Sequence, residues 1–148
     1  MIDRSIIGRT WPAWEVEIER GRLRLFAKAI GEERPIHVDE AAARAAGYRS
    51  IVAPPTFAYC LQADSPGGQA YLVEVGIPIA EVLHGEQTFT FHRVMCAGDR
   101  VRLTRRVVDT YEKRDGALVF VVFDTEVRDV ATGLLVAEGR QVMIRRRA

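Results

Sequence analysis

Two hydrophobic rhythms run along the chain and change over near its middle: helix signals rich in Ala, Pro and Gly over residues 1 to 83, and consecutive strand patterns over residues 84 to 147. In GRLRLFAKAIG, the residues Leu23, Phe26, Ala27 and Ile30 fall at helical spacing, with Gly31 placed to stop the helix. Asp39 is positioned to cap a short helix, EAAARAA, that ends at Gly47. In IVAPPTFAYCLQADSPGG the two prolines forbid a helix interior at 54 and 55 but suit a first turn. A helix is therefore predicted from Thr56 to Asp64, with SPGG terminating it. Its apolar side chains, Phe57 through Leu61 and Ala63, predict burial on most sides. The segment TWPAWEVEI is compatible with an opening strand, and AYLVEV with one or two helical turns.

The second half alternates with period two. EQTFTFHRV, DRVRLTRRVVDTYEKR, ALVFVVFDTEVRDV and LLVAEGRQVMIRR are four extended segments, separated by the turn chemistry of CAGD, DG and ATG. Phe89 and Phe91 share one face, opposite Thr88, Thr90 and His92, and default to the core. Val119, Val121, Phe123 and Val127 share another. The tight turns predict an antiparallel meander, and no helix of useful length separates the strands, which excludes a doubly wound nucleotide-binding sheet. An apolar helix beside one such sheet must bury itself against it, so the expected class is α+β, with a sheet wrapped around a central helix. The open edge of that sheet predicts pairing with another subunit.

Composition adds mostly exclusions. A chain of 148 residues suffices for one domain, and 48% apolar with 28% charged residues suits a folded protein. The net charge of +1, from 21 basic and 20 acidic residues, offers no field to recruit nucleic acid or an anionic membrane. The terminal RRR at 145 to 147 reads as a solvated tail. Cys60 and Cys96 form neither a CxxC motif nor a disulfide framework. The N-terminus lacks the apolar core of a secretory signal, and no apolar run reaches membrane-spanning length, so a reducing cytoplasmic setting is expected.

The chemistry concentrates in GEERPIHVD, residues 31 to 39. Pro35 disfavours helical geometry at Arg34 and holds His37 in a turn between two helices. An imidazole there suits proton transfer near neutral pH, and Glu32, five residues back, is positioned to supply a second acid/base group. The same residues also fit a capped surface turn, with His37 bonded to a backbone carbonyl and Glu32 and Glu33 facing water. Asp39 reads as a helix cap. Arg34 reads as a turn or salt-bridge residue, or as a contact to a substrate phosphate. His84, Glu86 and Gln87, at a strand start, either edge a cleft or serve packing. His92 reads as a structural or interface residue. The histidines at 37, 84 and 92 form no compact metal motif, and neither a P-loop nor a GxGxxG fingerprint is present.

Residues 24 to 60 resemble the hydration motif of the MaoC-like, or (R)-specific enoyl-CoA hydratase, superfamily. Its Gly-Asp-x-Asn-Pro-hydrophobic-His-x-Asp pattern reads here as GEERPIHVD, followed by Ala43, Gly47 and Tyr48. APPTF at 53 to 57 and HGEQTFTFHRVMCAGD at 84 to 99 resemble, more narrowly, the N-terminal MaoC dehydratase family. With the final strands, the resemblance covers nearly the whole chain. It implies one hot-dog domain over residues 1–148, a central helix from Thr56 wrapped by a curved antiparallel sheet, paired as a homodimer or as a heterodimer with another hot-dog subunit. It implies hydration of enoyl thioesters, or dehydration of 3-hydroxyacyl thioesters, on coenzyme A or acyl carrier protein. The CoA or phosphopantetheine belongs to the substrate, and no metal or redox cofactor is expected. Glu32 and His37 carry over as the catalytic pair. Backbone N–H groups of Thr56 and Phe57 are the candidates for polarising the thioester carbonyl. Arg34, His84 and Glu86 are candidates for lining the site.

Two positions depart from the pattern: the family aspartate is Glu32 and the family asparagine is Arg34. The longer carboxylate matters because a misplacement of about 1 Å can cost ~100-fold in rate. An arginine that reached Glu32 would favour its ionised form and weaken it as a proton acceptor. Two other functions fit the same fold: a non-catalytic subunit of a heteromeric dehydratase, and an acyl-CoA thioesterase. The latter needs a carboxylate aimed at the thioester, and Asp64 lies at the far end of the central helix.

Overall fold

The structure is a computed structural model, and it describes residues 3–146. Strand β1 (Trp14–Glu17) precedes helix α1 (Arg20–Ile30), α2 (Glu40–Ala45), α3 (Phe57–Ala63) and α4 (Ala70–Glu74). Strands β2 (Val82–Phe91), β3 (Arg100–Lys113), β4 (Leu118–Asp129) and β5 (Leu135–Arg146) follow. The result is α+β, with one five-stranded antiparallel sheet in the order β1-β3-β4-β5-β2.

The helix signals produce their elements locally. Gly31 ends α1 in the left-handed region at φ 69°, with its N–H bonded back into the last turn. Asp39 Oδ1 accepts the Ala42 N–H at 2.6 Å and starts α2. The prolines at 54 and 55 precede α3, which Thr56 and Asp64 flank. Its burial is one-sided: Phe57, Ala58, Leu61 and Gln62 turn inward, whereas Tyr59 is exposed.

Inside, Phe57 and Leu61 of α3 and Leu23 of α1 pack on Val101, Leu103, Val127 and Val136 of the sheet. Leu72 and Val75, in and just after α4, pack on Val107, Val119, Val121 and Phe123. The period-two face Val119, Val121, Phe123, Val127 is therefore the one that receives the helices. Central β4 is also apolar on its other face, where Phe120 and Val122 are buried beside Val142.

The expected four-strand meander is corrected in one place. β3, β4 and β5 do follow one another as hairpins, but β2 crosses over to pair with β5. Turn chemistry at 96–99 is present, since Asp99 takes the Cys96 N–H at 2.8 Å. The chain before it leaves β2 and pairs with residues 51–53 instead (Ala53 N–H to Met95 O, Ala97 N–H to Ile51 O, both 2.9 Å), so the turn opens no hairpin. The RRR tail is also corrected in part. Arg145 belongs to β5 and binds Glu81 at 2.6 Å and the Gly76 carbonyl at 3.1 Å, while Arg147 lies outside the described residues. Phe91, expected in the core, is 42% exposed.

Among the described residues, no helix is long and apolar enough to cross a membrane.

Candidate active site

The loop after α1 is organised by one carboxylate. Glu32 Oε1 accepts the Arg34 backbone N–H at 3.0 Å and Nε at 2.9 Å, and Oε2 accepts Nη2 at 2.6 Å. Pro35 keeps Arg34 extended (φ −61°, ψ 129°), and a single 3-10 turn, Pro35–His37, follows. This short turn carries the imidazole inward, where His37 is 2% exposed.

The second strut comes from 51–53. Val52 donates its N–H to the Ile36 carbonyl at 2.9 Å, and its own carbonyl lies 2.7 Å from His37 Nδ1. A carbonyl only accepts, so Nδ1 carries the proton. In the neutral ring Nε2 then holds the lone pair. That Nε2 is buried, has no hydrogen-bond partner among the described residues, and stands 4.0 Å from Glu32 Oε2. This is too long for a direct hydrogen bond. His37 lines a cavity of about 390 Å³ together with Arg34, Ile36, Val52, Phe91 and Met95, among others, whereas Glu32 does not line it.

Electrostatics of the pair are set by Arg34. Its side-chain hydrogen bonds, followed by its backbone N–H, hold the Glu32 carboxyl well below the usual range, at about 2. The Arg34 guanidinium is correspondingly raised by Glu32. The carboxylate is ionised at neutral pH and acts there as an acceptor only.

The remaining candidates separate. The Phe57 N–H donates to the Pro54 carbonyl at 2.9 Å, whereas the Thr56 N–H has no backbone acceptor among the described residues. Pro55, next to Thr56, lines the cavity. His84 and Glu86 are exposed on β2 and do not line it, and His84 stacks instead on Tyr59 at 5.3 Å. His92 lies at the cavity rim with its Nε2 2.8 Å from Glu138. Asp64 is bound by Arg22 at 2.7 and 3.2 Å. Among the described residues, no three His, Cys, Asp or Glu side chains gather as a metal site.

Two buried polar residues had a sequence signal that the motif reading passed over. Arg105 shares the inward period of Val101, Leu103 and Val107, and Gln62 occupies the core face of α3 beside Leu61. A charged or amide side chain on an otherwise apolar face marks such a position.

Comparison with known proteins follows this architecture. Residues 5–138 match the family described as the FAS1-like, dehydratase domain region. A UPF0336 protein of Saccharopolyspora erythraea is 40% identical over 109 residues, covering 73% of this chain and 70% of its own. The C-terminally truncated HadBC (3R-hydroxyacyl-ACP dehydratase) complex of Mycobacterium tuberculosis superposes with a TM-score of 0.80 at 25% identity, covering 94% of this chain and 96% of that one. R-hydratase PhaJ1 of Pseudomonas aeruginosa shares the fold, with a TM-score of 0.69 at 20% identity, over 96% of this chain and 83% of that one. The matched span takes in both the loop that holds Glu32 and His37 and most of the sheet behind it, and on that basis the chain belongs to the FAS1-like dehydratase-region family.

Proposed function

We propose that this chain, as one hot-dog domain over residues 1–148, catalyses reversible hydration of enoyl thioesters and dehydration of 3-hydroxyacyl thioesters on coenzyme A or acyl carrier protein. In this reading α3 is the central helix and the sheet curves around it. The observation that carries the proposal is the buried Nε2 of His37, unpartnered among the described residues and 4.0 Å from Glu32, on a side chain that lines a largely apolar cavity. Its relatives in structure include a 3R-hydroxyacyl-ACP dehydratase and an R-hydratase.

The chemistry follows from the two groups. Glu32, held ionised, accepts a hydrogen bond from the attacking water and orients it. His37 Nε2 takes the other water proton as the oxygen bonds to Cβ. The electron pair of the double bond moves toward the thioester oxygen, and in this reading the Thr56 N–H receives the developing charge. The imidazolium then returns the proton to Cα, and the 3-hydroxyacyl thioester is complete. Dehydration retraces these steps. No metal or redox cofactor is required, because the thioester itself acidifies Cα.

The Arg34–Glu32 fork supports a second reading, in which this chain is the accessory partner of a heteromeric dehydratase. A carboxylate gripped at three points has little basicity left to contribute. In either reading the open strand β2, with Leu83 and Phe91 exposed, suits pairing with a second hot-dog subunit, a copy of itself or a different chain. The two free thiols, Cys60 and Cys96, suit a reducing cytoplasm.

The test is an assay of the purified full-length chain with crotonyl-CoA and longer enoyl-CoA esters, beside Glu32→Gln. Hydroxyacyl product from wild type and far less from the variant supports the catalytic reading. Product only after a second hot-dog subunit is added assigns the accessory role. Free thiol without hydroxyacyl product replaces both with thioester hydrolysis.

A further inference from the structure

Arg105 is 3% exposed and pairs with no carboxylate among the described residues. Its Nη2 donates to the Gln62 carbonyl at 2.8 Å, its Nη1 contact to Ser65 Oγ is stretched to 3.5 Å, and its Nε has no acceptor among the described residues. The guanidinium lies over Tyr71 at 3.8 Å and 5.1 Å from the Trp14 ring centre. Two aromatic faces soften the loss of water around a cation but supply no negative charge. Burial accordingly lowers the Arg105 pKa from its usual value.

Beside it, Gln62 is 2% exposed, and neither Oε1 nor Nε2 of its amide has a partner among the described residues. The amide rests on Gly139 of β5, where a Cβ would collide with Nε2. Buried amides and buried charges are ordinarily bonded, and the two unused donors here, Arg105 Nε and Gln62 Nε2, leave this part of the core in want of an acceptor.

Packed side chains link this site to the cavity at His37. Phe91 lines that cavity, its ring is 5.7 Å from Phe89, and Phe89 packs against the same Gly139 position as the Gln62 amide. An acyl chain running from His37 along Phe91 and Phe89 arrives at Gln62. Resting on the hydratase reading, we propose that Gln62 and Arg105 form the far end of the acyl site and select acyl groups that end in a carboxylate. One carboxylate supplies acceptors for Arg105 Nε and Gln62 Nε2 and the missing counter-charge at once; a hydroxyl or keto oxygen supplies only the hydrogen bonds.

Binding of saturated thioesters tests this without requiring turnover. Isothermal titration of the full chain compares adipyl-CoA with hexanoyl-CoA, and suberyl-CoA with octanoyl-CoA. The carboxylate-ended ester of at least one pair is expected to bind about tenfold or more tightly, the scale on which a polar site rejects a ligand lacking its partner group. Gln62→Glu, nearly isosteric, installs the counter-charge within the protein and is expected to erase that preference. Equal or weaker binding of both carboxylate-ended esters to wild type overturns the inference, as does a preference that survives Gln62→Glu. If the variant does not fold, the wild-type comparison still decides. Failure here with crotonyl-CoA still hydrated leaves the hydratase reading intact; selective binding with no hydration removes that reading and keeps the carboxylate site.

Discussion

Arg34 and Arg105 carry the same charge under opposite conditions. Arg34 has a side chain 64% exposed, yet it is forked onto Glu32 through three hydrogen bonds. Arg105 is buried on the inner face of the sheet and meets no carboxylate among the described residues. Charge is thus neutralised where water would have screened it and left standing where burial costs most. The comparison separates two uses of an arginine. At the loop the effect is on chemistry, because an exposed ion pair contributes little to stability while its field still holds Glu32 ionised. In the core the effect is on recognition, because an uncompensated cation in a low-dielectric interior attracts an anion strongly.

The sharpest way to break the loop half of this comparison is His37→Ala. Removing the Nε2 base is expected to lower kcat/KM for crotonyl-CoA by about 100- to 10,000-fold. Activity within a few-fold of wild type would take catalysis away from this pocket. The core half is tested by Gly139→Ala, whose methyl group displaces the Gln62 amide and crowds Phe89. A loss of about 1–3 kcal/mol in denaturant unfolding is expected, as for other overpacked cores. An unchanged midpoint would mean that the amide is not held against β5.

Arg105→Met is expected to change stability by less than about 1 kcal/mol, because relief of the buried charge offsets the lost bond to the Gln62 carbonyl. A loss of several kcal/mol would instead make Arg105 a structural keystone. Smallest in size is the effect of Arg34→Asn on the pH profile. In wild type the Glu32 carboxyl titrates at about 2, below its ordinary 4.5, so the ionised form persists as pH falls and the contribution of the fork is lost only toward that acid extreme. Without the guanidinium the pKa rises toward the ordinary range, and the acid limb of kcat/KM moves up in pH. A limb that stays in place would separate Glu32 from the rate-determining protonation.

Much of this was legible from residues alone. The spacing of Leu23 and Ala27, the Asp39 cap and the stop at Gly31 are contacts within a few positions of each other, and they produced α1 and α2 as expected. The DG and ATG turns likewise predicted the β3–β4 and β4–β5 hairpins, which formed. Strand β2 was misplaced because its partner β5 is about fifty residues away, and local turn chemistry at 96–99 is blind to that pairing. At the site, the departure of residue 34 from the family pattern raised the consequence of an arginine reaching Glu32, and the structure shows that contact. The role of Val52 in fixing the His37 tautomer was not, since the strut comes from a segment fifteen positions on.

The sequence by itself determined which segments are helix and strand, and it set a carboxylate and an imidazole in one proline-restrained turn. Those outcomes rest on backbone sterics and on side chains reaching their own neighbourhood. Tertiary structure decided that His37 Nε2 is buried without a partner among the described residues, that the Val52 carbonyl holds His37 Nδ1, and that the Gln62 carbonyl meets Arg105 from another element. Each depends on segments from distant parts of the chain packing together, because burial, and with it the value of every charge and hydrogen bond, exists only once those segments close on one another.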